Sequence, residues 1–377
     1  MILIKNANIY APSPMGTRDI LLGGGKILAI SNHIHAFSDT QIIDAENKYL
    51  VPGFIDQHMH LIGAGGKHGF ASMTPEMNVT DLVENGITTV VGLLGTDGAT
   101  RSIKSLYAKV KALNEEGVSA YMHTGYYGLE PVHITGNVQD DLIFIDPILG
   151  CKIAITDIRS SYPTDIEILR LLRQVKVGGM LSQKKGILHI HLGNLSTRMD
   201  SLFRIVKDHE FPIAHISPTH VGRTLDLFDQ AIDFAKLGGM IDITTGASQY
   251  TDPFKSVLYA IEKGVSINKM TFSSDGNAGL DKLNDQGELI GFRRAPISES
   301  FTQVKHLLKE GCLSLDKAIS LITLNPALNL GLSNKGRIEI GMDADLCLLD
   351  QDFELTEVFA LGNILMKESL LTIKNNF

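Results

Sequence analysis

From residue 51 onward the chain alternates short, continuous apolar runs with longer amphipathic stretches, the pattern of parallel strands interleaved with covering helices. Eight such runs can be counted: FIDQHMHL (54–61), TTVVGLLG (88–95), SAYMHTG (119–125), CKIAITD (151–157), GILHIHLG (186–193), PIAHISPTH (212–220), MIDITTG (240–246) and KMTFSSDG (269–276). Helix-like segments lie between them, among them 102–117, 226–239 and 254–264, each ending at a glycine as helices often do. Two more helical stretches follow, at 299–310 and 314–330. The first 50 residues read instead as short strands with a Gly23-Gly24-Gly25 turn, and GRIEIGMDADLCLLD (336–350) with EVFALGNILMKES returns to the same strand alternation. The expected organisation is therefore a β-sandwich domain from residues 1–50 plus 335–377, and an α/β domain over 51–334.

Eight strand–helix units suit a closed (β/α)8 barrel, although a doubly wound open sheet would show the same alternation. Polar placement separates the two. His60, Thr96, Lys152, His191, His220 and Asp275 lie at or near strand ends, most of them C-terminal ends. A barrel gathers its active site on that rim, whereas an open sheet would scatter these residues.

Composition narrows the setting. With 377 residues, 44% of them hydrophobic and 20% charged, the chain can bury a large core and is not disordered. A net charge of −8 with no Lys/Arg block excludes the electrostatic footprint of a nucleic-acid or anionic-membrane binder, which leaves small solutes as the expected partners. Cys151, Cys312 and Cys347 have no C-x-x-C spacing, arguing against disulfides or a thiolate zinc cluster; they read as reduced and buried. Neither a basic start followed by an apolar stretch nor an apolar run of about 18 residues occurs, so a cytoplasmic protein is expected.

The 13 histidines carry the chemistry. His58-Met59-His60 lies in a strand-like run, where the two-residue period puts both imidazoles on one face, within reach of one ion at Zn–N distances of about 2.0–2.1 Å. His191 and His220 end two further runs and Asp275 ends the last. Four neutral imidazoles and one carboxylate leave a pair of divalent cations short of anionic ligands, so a bridging anion is expected. Lys152, inside an apolar run, either pairs with an acid or, with its amine held neutral by burial, captures carbon dioxide as a carbamate, which is a bridging carboxylate.

The pattern P-G-F-x-D-x-H-x-H (Pro52 to His60), followed by Lys152, His191, His220 and Asp275 on the fourth, fifth, sixth and eighth runs, resembles the amidohydrolase superfamily. The closing segments Thr323-Leu324-Asn325-Pro326-Ala327 and Gly341-Met342-Asp343-Ala344-Asp345-Leu346 agree with it, as do HLIGAGG, VVGLLGTD, LNEEGVSA, TDIRS, SPTHVGR and IDIT, which look like the β-aspartyl (isoaspartyl) dipeptidases. The resemblance implies a (β/α)8 barrel with a small β-sandwich, and two zinc ions per subunit. His58, His60 and Asp275 would hold one ion and His191 and His220 the other, bridged by carboxylated Lys152 and a hydroxide. It implies hydrolysis of the isopeptide bond of a β-aspartyl dipeptide, with Asp275 shuttling the proton and Tyr127 donating to the oxyanion. Gly65, Thr96, Arg159 and Arg223 would contact a dipeptide-like dicarboxylate, and a homo-oligomer is implied as well. Each arginine, with its planar guanidinium, suits a carboxylate, the lesser alternative for each being an internal ion pair. Nitrogen and oxygen ligands do not by themselves exclude Mn, Fe, Co or Ni, with zinc the default.

Two positions depart from the family pattern. Lys67 stands where the family has a glutamate that pairs with the substrate ammonium, and Gly279 stands where it has a serine that helps hold substrate. The charge reversal at Lys67 predicts a preference for β-aspartyl amides whose amine is blocked or replaced by an anionic group, unless Lys67 points to solvent or an acid such as Glu76 takes its place. Ring opening of the dihydroorotase or hydantoinase kind is the competing enzymatic reading. A non-catalytic scaffold is disfavoured, because every proposed ligand is present.

Overall fold

The computed structural model describes residues 1–247, 249–311 and 313–375. Nine strands from the two ends of the chain join one sheet: β1 (Ile2–Tyr10), β2 (Pro14–Gly23), β3 (Lys26–Ser31), β4 (Gln41–Asp44) and β5 (Tyr49–Pro52), with β16 (Leu346–Leu349), β17 (Leu355–Ala360), β18 (Asn363–Lys367) and β19 (Leu370–Leu371). β1 pairs with β2 through a register shift between Ile4 and Ala7, and on its other edge its first half pairs with β4 and its second half with β5. The sheet packs around a core of its own that includes Ile4, Ile20, Leu50, Leu348 and Phe359.

Eight parallel strands form the second sheet: β6 (Phe54–Met59), β7 (Ile87–Gly92), β8 (Ser119–Gly125), β9 (Ile148–Ile155), β10 (Ile187–Leu192), β11 (Ile216–Thr219), β12 (Ile241–Thr244) and β13 (Met270–Ser273), hydrogen-bonded in sequence order. The ends β13 and β6 meet through an isolated bridge between Met59 and Gly276, with the His60 N–H donating to the Gly276 carbonyl at 2.9 Å. The Asp56 carboxylate clasps the seam, accepting from the backbone of His58 at 3.0 Å and of Ser274 at 3.0 Å. The chain is thus a nearly closed (β/α)8 barrel with an appended sheet.

Alternation along the strands sorts side chains between the barrel interior and the helices. On β10, Leu188, Ile190 and Leu192 join the core beneath the helices, while Ile187 faces an inner cluster with Ile55, Val91 and Leu149. Ala327, Leu330 and Leu332 complete that inner cluster and plug the end of the barrel opposite the site. The stretch expected as one helix over 314–330 is two, Leu315–Ser320 and Leu324–Leu330, and the second is the plug. Residues 213–215, expected in the sixth strand, form a 3-10 turn. A hairpin of β14 (Gly279–Leu283) and β15 (Leu289–Arg294), which the periodicity did not announce, follows the last barrel strand. Among the described residues no helix is long and apolar enough to cross a membrane. Cys151 and Cys347 are buried free thiols, and Cys312 lies outside the described residues.

Candidate active site

The first strand shows how local irregularity builds the site. A register shift between Asp56 and Met59 breaks the strict alternation, so Gln57 and His58 both face the interior: Gln57 donates to Asp242, and His58 lies against the His189 ring. The strand ends at Met59, and His60 follows it with its imidazole at 5.7 Å from that of His58. His220 and Asp275 sit just beyond β11 and β13 with φ of 62° and 52°, the left-handed region that costs a non-glycine residue about 1–3 kcal/mol. Both strained residues carry side chains the site uses.

Six expected ligands are buried together on the barrel floor: His58, His60, Lys152, His191, His220 and Asp275. His58 Nε2 and His60 Nε2 stand 3.3 and 3.1 Å from the same Asp275 oxygen, Lys152 Nζ lies 3.4 Å from His58 Nε2, and the His191 and His220 rings pack at 4.5 Å. Donor atoms of His58, His220 and Asp275 all fall within 4.8 Å of one another, close enough to hold a metal ion. Two separate ligand sets are not resolved. The tightest group draws one member from His191/His220 and two from His58/His60/Asp275, and both nitrogens of His191 are engaged, Nδ1 by the Tyr127 hydroxyl at 2.8 Å and Nε2 by Asp157 at 2.9 Å.

Three of the imidazoles are held neutral, as ligation of a cation requires. Burial, together with Lys152, lowers His58 to about 3, and burial holds His191 and His220 well below their usual values, so these imidazoles are neutral. Burial alone would raise the Asp275 carboxyl, but the close imidazoles of His58, His60 and His220 together outweigh it and keep it well below the ordinary range. Lys152 is the largest fully buried side chain among the described residues, and its amine is lowered to about 7 by burial against the opposing pull of Asp275. Second partners orient the rings: His58 Nδ1 faces His189 Nε2 at 2.8 Å, and His220 Nδ1 meets the Thr244 hydroxyl at 2.6 Å. His60 Nδ1 is buried without a hydrogen-bond partner among the described residues.

Above this floor opens a cavity of about 200 Å³ lined by Gly65, Lys67, Thr96, Tyr127, Asn194, Arg223 and others, Arg159 and Gly279 included. Arg159 makes a bidentate pair with Asp157 at 2.9 and 2.6 Å and lies 5.3 Å over the Tyr127 ring, so part of its fork is committed internally. Arg223 differs, because its Nε is buried with no partner among the described residues. Lys67 lines the cavity with its side chain 54% exposed and its Nζ 3.8 Å from Asp281. Glu76 does not replace it there, being paired instead with Lys109 at 3.8 Å. The glycine at 279 has a geometric cause. A Cβ there would come within 2.7 Å of the Gly65 Cα, so a serine needs the two loops to separate.

Two polar residues at the site escaped the sequence reading. Asp157, two residues before Arg159, joins that arginine to His191, and only its place in the TDIRS stretch marked it. His189 had a plainer signal, since His189-Ile190-His191 repeats the H-x-H spacing of residues 58–60.

Comparison with known proteins agrees with this geometry. Profiles of the amidohydrolase family match residues 181–365 and 41–94. The chain is 39% identical, with a TM-score of 0.92 and coverage of 100% of both chains, to a beta-aspartyl dipeptidase from the thermophilic keratin-degrading Fervidobacterium islandicum AW-1, solved in complex with the beta-Asp-Leu dipeptide. It is 26% identical to the deacetylase Atu3266 of Agrobacterium fabrum over 94% of this chain and 84% of the relative. It is also 24% identical to a dihydroorotase of Lactobacillus gasseri, over 92% and 88% respectively.

Proposed function

Because the chain belongs to the β-aspartyl dipeptidase family of the amidohydrolase superfamily and is a hydrolytic enzyme, we propose that it cleaves the isopeptide bond of β-aspartyl dipeptides or of closely related N-blocked β-aspartyl amides. The observation that carries this reading is the meeting of neutral imidazoles, Asp275 and buried Lys152 at the floor of a cavity whose walls hold Arg159 and Arg223.

The buried donor set suits a metal ion, and in this reading a pair of ions, zinc by default, would be held by His58, His60, His191, His220, Asp275 and a carbamate on Lys152. When bound, the metals lower the pKa of a water and withdraw electron density from the scissile carbonyl. Asp275, a carboxylate with two histidine contacts, accepts the proton released as the nucleophile adds and returns it to the leaving nitrogen, which is too basic to depart unprotonated. Burial pushes the Tyr127 phenol far above its usual value, so it keeps its proton and donates to the developing oxyanion. Arg223 and the free edge of Arg159 take the substrate carboxylates. Gly65 and Thr96 shape the cavity wall, and Lys67, beside it, disfavours a free ammonium. A barrel domain over 51–334, a homo-oligomeric assembly and a cytoplasmic setting belong to the same reading, and light scattering checks the assembly.

The test is release of leucine from β-Asp-Leu and from its N-acetyl form by zinc-loaded protein in bicarbonate buffer, with dihydroorotate ring opening measured alongside. Cleavage of either linear amide supports the reading. Ring opening without amide cleavage assigns the cyclic amidase activity instead, and loss of all three activities with full metal occupancy refutes both.

A further inference from the structure

Beneath the barrel floor runs a buried chain of hydrogen bonds that the hydrolytic reaction does not itself use. It begins at Asp242, whose carboxylate accepts from Thr219 at 2.7 Å, Ser273 at 2.6 Å and Gln57 Nε2 at 2.7 Å. With its amide nitrogen committed to that carboxylate, Gln57 presents its oxygen to Asn329 Nδ2 at 2.8 Å. The same Asn329 nitrogen donates to the Ser217 hydroxyl oxygen at 2.9 Å, and that oxygen stands 3.1 Å from His189 Nδ1. His189 Nε2 then meets His58 Nδ1 at 2.8 Å. His123 stacks on the His189 ring at 5.2 Å with 22° between planes, which fixes the ring's tilt.

Protons can be placed along this chain in two ways, and they differ at the far end. If His189 carries its proton on Nδ1 and donates to Ser217, its Nε2 is an acceptor, His58 carries its own proton on Nδ1, and the His58 Nε2 lone pair is free toward Asp275 and Lys152. If His189 carries the proton on Nε2, His58 must accept through Nδ1, and its Nε2 holds a hydrogen where a cation would sit. Only the first arrangement makes His58 a ligand. We propose that His189, held by Ser217, Asn329 and His123, is the positioning residue that sets the tautomer and ring orientation of His58 for metal binding. In this role a neutral imidazole replaces the carboxylate or carbonyl that more often accepts from a ligating histidine. The plug helix Leu324–Leu330, remote from the substrate cavity, thereby reaches the metal floor through one asparagine.

This inference rests on the proposed metal site. The test measures zinc affinity of metal-stripped protein by competition with a chromogenic chelator, independently of turnover. His189→Leu is expected to weaken affinity about 10- to 100-fold, and His189→Gln, which returns an acceptor near the Nε2 position, to recover most of it, both with the thermal midpoint of the metal-free protein close to wild type. Equal loss in both variants, or wild-type affinity in His189→Leu, overturns the proposal. If His189→Leu does not fold, Ser217→Ala carries the test: it removes the acceptor that keeps the Nδ1 proton in place, and unchanged affinity overturns the proposal as well. Wild-type protein that binds no zinc would refute the proposed metal site itself, a result separate from either outcome in the variants.

Discussion

Replacing Lys67 by methionine removes one charge from the cavity wall while keeping most of the side-chain volume. With the side chain about half exposed, solvent screening is strong. Taking an effective dielectric of about 40–80 and a separation of roughly 5 Å, repulsion between Lys67 and a substrate ammonium amounts to about 0.8–1.7 kcal/mol. Removing it raises kcat/KM for β-Asp-Leu about 4- to 18-fold. Asp281, 3.8 Å from the lysine nitrogen, is unmasked by the change and adds attraction of the same sign. The N-acetyl substrate has no ammonium to repel and instead loses a hydrogen bond from the lysine, worth about 0.5–1.5 kcal/mol, or about 2- to 12-fold. The ratio of the two specificity constants therefore moves about 10- to 200-fold toward the free amine. The assay is leucine release from both substrates at low salt and at 1 M salt, where the Debye length falls to about 3 Å and the shift should shrink. A ratio that moves less than twofold, or a common fall for both substrates, refutes the argument and assigns Lys67 to holding its loop against Asp281.

Arg223→Met should lower kcat/KM for dicarboxylate substrates by roughly 2–3 kcal/mol, about 30- to 150-fold, with an unchanged melting curve because its buried Nε has no internal partner among the described residues to lose. Equal activity on an analogue lacking the leaving-group carboxylate would show that this arginine is the one that reads it. Dialysis against a chelator should abolish activity and lower the melting temperature, because an ion present at about 1,000 times its Kd stabilises the native state by ~4 kcal/mol; zinc in bicarbonate should restore both, and chelator-resistant activity would contradict a metal site. Lys335, buried between Asp343 at 2.9 Å and Asp345 at 2.5 Å and donating to Ser119 of β8, ties the barrel to the terminal sheet. Lys335→Met leaves Asp345 without its cation and Asp343 with Lys26 alone, and should cost ~3–5 kcal/mol, read by chemical denaturation. Lys335 and its neighbours also set a pH window. Burial would raise Asp343, but Lys335 and Lys26 together outweigh it and lower the carboxyl; burial would lower Lys335, but its acidic neighbours Asp345 and Asp343, with Tyr121, together outweigh it and raise the amine. The Asp343 contribution is complete above about pH 4 and lost as pH falls through its lowered value; the Lys335 contribution is complete below about pH 10 and lost as pH rises beyond its raised value. The stability gap between wild type and variant should accordingly stay flat from about pH 5 to 9 and narrow in stronger acid.

The barrel and the identity of its floor were legible in one dimension, because both depend on short-range regularities. Apolar runs of strand length separated by amphipathic stretches can bury their faces only as a layered α/β structure, and a histidine or lysine that ends or interrupts such a run stands out against the Val and Leu around it. The H-x-H of His58 and His60, the lone Lys152 and the terminal Asp275 were visible on that account. Other features were set by contacts between segments distant in the chain. The shift that turns both Gln57 and His58 inward depends on the pairing of β6 with β7. Asp157 gains its meaning from an arginine two residues away and a histidine 34 residues away. Gly279 is a glycine because a loop more than 200 residues earlier passes beneath it. His189 gains its place only from the fold, which sets its Nδ1 against Ser217, itself bonded to Asn329, 140 residues beyond His189 in the chain, and its Nε2 against His58. Periodicity records which face of an element is buried, whereas the direction of a hydrogen bond and the room for a Cβ depend on what the fold brings against that face. The sequence alone therefore determined the architecture and the class of chemistry, and the tertiary structure decided which side chains orient the ligands and which remain free for substrate.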